Sequence, residues 1–183
     1  MPTQTTADIH DLAAAERFLA AEARIAATFC RIEEAVAPLL RAMRARDRTT
    51  YVVDTGRGAL LGHAFLRPPY APSAEAEWSV AWGLRFPDGG GGWEGADPPL
   101  PRGVHAVVAL GTEGGQGPRP LPPAVAALPH GWSVLDGEAA FLAAALPLHE
   151  VPGEPGAMAD AMAAWTLARL EELRDALPGL AAA

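Results

Sequence analysis

The chain contains no lysine and no asparagine, and its one cysteine is Cys30. Without lysine there is no Schiff base, no phosphate-loop lysine and no lysine acting as a general base. One cysteine closes no intrachain disulfide, so a reducing, cytoplasmic setting is the expectation. Cys30 sits among Ile25, Phe29 and Ile32 and is expected to serve as a small buried hydrophobe. No run of eighteen apolar residues occurs, and the first residues show no basic stretch leading into an apolar one. Neither a membrane span nor a secretion signal is therefore expected.

The catalytic signatures are equally sparse. The five histidines, His10, His63, His105, His130 and His149, include no pair at helical i, i+4 spacing. With a single cysteine beside them, no zinc signature forms, and neither metal nor cofactor is expected. Of the three serines, Ser73, Ser79 and Ser133, none sits in a GxSxG elbow. The glycine-rich run that starts at Gly111 leads into Pro118 and Pro120 instead of a helix N-terminus, which a phosphate cradle needs.

What is present is acid, arginine and a sufficient set of large apolar residues. The formal net charge is −8, and all fourteen basic residues are arginine. Residues 1–50 balance seven acids against seven arginines, so the excess acid lies further along the chain. That balance disfavours broad binding to nucleic acid or anionic membranes and suits a protein partner. Five Trp and five Phe join many Leu and Val, enough for one core in 183 residues. A single domain over 1–183 is expected.

From 11 to 46 the apolar residues Ile25, Phe29, Ile32, Val36, Leu39 and Met43 recur at alternating spacings of four and three, a helical stripe. Pro38 lies within it and predicts a kink. The N-terminal helical segment is placed at 9–47, a sheet region at 50–135, and C-terminal helices at 137–178. The clearest strand is 77–86, where Trp78, Val80, Trp82, Leu84 and Phe86 alternate with Glu77, Ser79, Ala81, Gly83 and Arg85. A hairpin around Gly56-Arg57-Gly58, a strand at 104–110 and a short one at 132–135 complete the sheet. A short helix is expected at 138–146, and a longer one from about Ala157 to Leu177, ended by Pro178-Gly179.

This order predicts an α+β fold: an antiparallel or mixed sheet of four to five strands, with the helices chiefly on one face. The other face is expected to be open, carrying Glu77, Ser79, Arg85 and His105. Tyr70 and Trp93, on loops rich in proline and glycine, are candidate contact anchors. Arg41, Arg44, Arg46 and Arg48 gather near the end of the first helix. They fit either a helix-end complement to the macrodipole or a small basic binding patch.

Over residues 50–175 the order of elements, including the strand that ends Trp82-Gly83-Leu84-Arg85-Phe86 and the strand 104–110, resembles the restriction-endonuclease-like nucleases. The resemblance implies a metal held by two acids on neighbouring strands, with a lysine two residues after the second. Asp54 and Glu77 could be set against the acids, but position 79 is Ser and the chain has no lysine. The implied protein is then an inactive, nucleic-acid-associated relative with no catalytic site. The leading expectation is a non-enzymatic interaction protein, such as an inhibitor, immunity factor or assembly subunit, with an acidic surface. An enzyme using His105, Arg85 and Glu77 on the open face is the alternative.

Overall fold

A computed structural model describes residues 9–43, 46–54, 59–66, 77–85, 96–97, 104–113, 131–135, 141–147, 150–151 and 153–181. Helix α1 spans Ile9–Ala42. The strands are β1 Arg46–Asp54, β2 Ala59–Phe65, β3 Glu77–Arg85, β4 Ala96–Asp97, β5 His105–Glu113, β6 Trp132–Leu135 and β7 Phe141–Pro147. Helix α2 spans Pro155–Ala181. The fold is α+β, with one antiparallel sheet in the order β1-β2-β3-β5-β7-β6-β4. Five strands of seven to nine residues form its body, and the short β4 and β6 extend one side. No helix among the described residues is long and apolar enough to cross a membrane.

The alternation in β3 sets the inside and outside of the sheet. Trp78, Val80, Trp82 and Leu84 are all buried, and they share a face with Ala106, Val108, Leu110, Leu142 and Ala144 of the neighbouring strands. Phe29, Ile32, Val36, Leu39 and Met43 of α1 pack on that face, as do Met162, Leu170, Leu173 and Leu177 of α2. The helical stripe read from spacing is thus the core-facing side of α1. The helix continues through Pro38 to Ala42.

Two tryptophans tie the helices to the sheet. Gly62, Trp82, Val108, Ala144 and Trp132 form one cross-strand row on the core face. Trp82 Nε1 donates a short hydrogen bond to Glu33 Oε1 of α1, and Trp132 Nε1 donates to Glu172 Oε2 of α2 at 2.8 Å. A buried indole keeps its polar edge satisfied in this way while its rings fill the core. Gly62 makes room for the first pair: a Cβ there would lie 2.5 Å from both Glu33 Oε1 and Trp82 Cε2. Gly83, with φ of 145°, lets β3 pass between Trp82 and Leu84 in a conformation that side-chain-bearing residues avoid.

Several expectations are corrected. In place of the short helix expected at 138–146, residues 141–147 form β7 and hydrogen-bond to both β5 and β6. The Ala- and Leu-rich composition favours a helix locally. Two waiting strand partners and an inward alternation of Leu142, Ala144 and Leu146 outweigh that propensity. Helix α2 runs on through Pro178 to Ala181, beyond its expected stop. Cys30 is exposed, because it follows Phe29 by one residue and so turns about 100° away from the core-facing stripe. Arg46 and Arg48 belong to β1 and not to a helix end.

Candidate functional site

The first candidate surface is the sheet face opposite the helices. Strand pairing puts Asp54, Ala59, Arg85, His105 and Pro147 in one cross-strand row. Arg85 and His105 are direct neighbours in it, with the small Ala59 between Arg85 and Asp54. Directly paired residues in an antiparallel sheet have Cβ atoms about 5 Å apart. Arg85 is half-buried, but His105 is only 2% exposed and Ser79 only 6%. Val107, Ser133 and Ala143, on the same face, are buried as well. The expectation of an open face therefore does not hold at these positions: the face is covered over its centre.

Glu77 is not part of this constellation. It pairs with Glu113 at the far end of β3, eight residues from Arg85, which is about 26 Å along a strand. Glu77, Arg85 and His105, grouped by sequence reasoning, are thus split two and one. Asp54 and Glu77, which the nuclease resemblance would set on a common metal, are likewise at opposite ends of the sheet. Among the described residues, no group of three or more His, Cys, Asp or Glu comes together as a metal site.

The second candidate surface is the outer half of α1. The antiparallel succession makes β1, β3 and β7 run in one direction. Helix α1 leads into the start of β1 and α2 follows β7, and Arg31 Nε of α1 pairs with Asp160 Oδ1 of α2 at 2.9 Å. Leu12 and Leu19 on this outer half are 60% and 62% exposed. Ala20, Ala23, Glu16, Arg17, Glu22 and Arg24 are exposed too, whereas Phe29 onward supplies the core.

Arg31 holds its proton more firmly than an ordinary guanidinium, because it donates a hydrogen bond to Asp160, faces that charge, and also reaches Glu34 Oε2 at 3.5 Å.

The remaining candidates fall as follows. Arg41 is exposed in the last turn of α1, where a cation complements the helix dipole. Arg46 and Arg48 lie on β1, which begins just after α1. Tyr70, Trp93 and Arg44 lie outside the described residues. The exposure of Leu12 and Leu19 was not read from the sequence, although the signal was there: both are offset by one residue from the line of Phe18 and Ile25 that continues the core stripe backward. Compared with protein-family models, curated proteins and solved structures, the chain matches none.

Proposed function

We propose that this chain is a non-enzymatic protein-interaction partner, of the kind represented by an inhibitor, an immunity factor or an assembly subunit, and that the outer half of α1 is its docking element. The observation that carries this reading is the exposure of Leu12 and Leu19 toward the start of α1. Helices of this length are marginal in water without a packed face. A partner that covers the two leucines supplies what the rest of the fold does not. The net charge of −8 adds an acidic surface that favours a partner with basic groups.

Affinity purification from the native cells, under gentle conditions, tests the reading. Wild-type protein is expected to retain a protein in fixed ratio, and a variant carrying Leu12→Glu and Leu19→Glu to be equally stable but recovered alone. Retention of the same protein by both variants would overturn the assignment of α1, and recovery of the wild type alone with turnover of a small substrate would overturn the whole reading.

The sharing of one row by Asp54, Arg85 and His105 favours a second reading, a small enzyme in which His105 acts as the acid or base with Arg85 beside it. His105→Gln would then abolish turnover without altering the partner bound through α1.

A further inference from the structure

We draw no further inference here: the strongest candidate, the side-chain cluster of Trp132, Trp165, Arg169 and Glu172 where α2 meets β6, carries none because Glu172 already takes the Arg169 guanidinium at 2.9 Å and the Trp132 indole at 2.8 Å, which leaves the arginine charge neutralised within the fold.

Discussion

Gly62 is the residue at which the least chemistry does the most structural work. It lies in the same row as Trp82, and a methyl group there would meet Trp82 Cε2 and Glu33 Oε1 at 2.5 Å. Gly62→Ala is expected to destabilise the fold by about 1–3 kcal/mol, the usual cost of overpacking a filled core, measured as a lower urea midpoint with an unchanged slope. Thr166 makes the opposite case. It is fully buried on α2, and its Oγ1 makes no hydrogen bond to the protein. Thr166→Val keeps the shape and removes the unsatisfied hydroxyl, so it should stabilise the fold by roughly 1 kcal/mol in the same assay. At the exposed end of α2, the hydrogen bond from Arg174 holds the Asp175 carboxyl below its ordinary range. The sign follows from linkage: a depressed folded pKa stabilises above the unfolded value, and that contribution fades as pH falls through the folded one. Arg174→Ala should raise the Asp175 titration midpoint toward the ordinary carboxylate range, read by carbon NMR of the side chain.

At the scale of elements, the two helices are held by analogous devices, a Glu on each accepting a bond from a sheet tryptophan. Along α1, Phe29 to Met43 supply core residues, whereas Leu12 and Leu19 are exposed. Charge placed at Leu12 and Leu19 should change global stability by less than about 0.5 kcal/mol, whereas Leu39→Ala on the same helix should cost about 2–5 kcal/mol. Comparing their urea midpoints checks the division. Much of this was legible in the residues. The alternation of Trp78, Val80, Trp82 and Leu84 placed β3 and its buried face, and the stripe from Ile25 to Met43 gave the side of α1 that packs. Strand β7 was not legible, because Phe141-Leu-Ala-Ala-Ala-Leu prefers a helix until two partner strands compete for it. The candidate site was less legible still. Which of Glu77, Arg85 and His105 share a row depends on register between strands, and exposure on α1 depends on which elements pack against it. Neither quantity is written in local periodicity.

At the scale of the whole molecule, one antiparallel sheet packs a face against two helices, and the first of these carries exposed Leu12 and Leu19 toward its start. The start of α1 carries two exposed leucines with exposed small and charged residues, while the acidic excess lies elsewhere in the chain. The most direct test is amide hydrogen exchange along α1 in the chain alone and in the complex recovered by affinity purification. The account predicts that amides between Leu12 and Ile25 exchange freely in the chain alone and gain protection in the complex, while those from Phe29 to Ala42 stay protected in both. Equal protection of the segment from Leu12 to Ile25 in both samples would contradict the claim that a partner covers it.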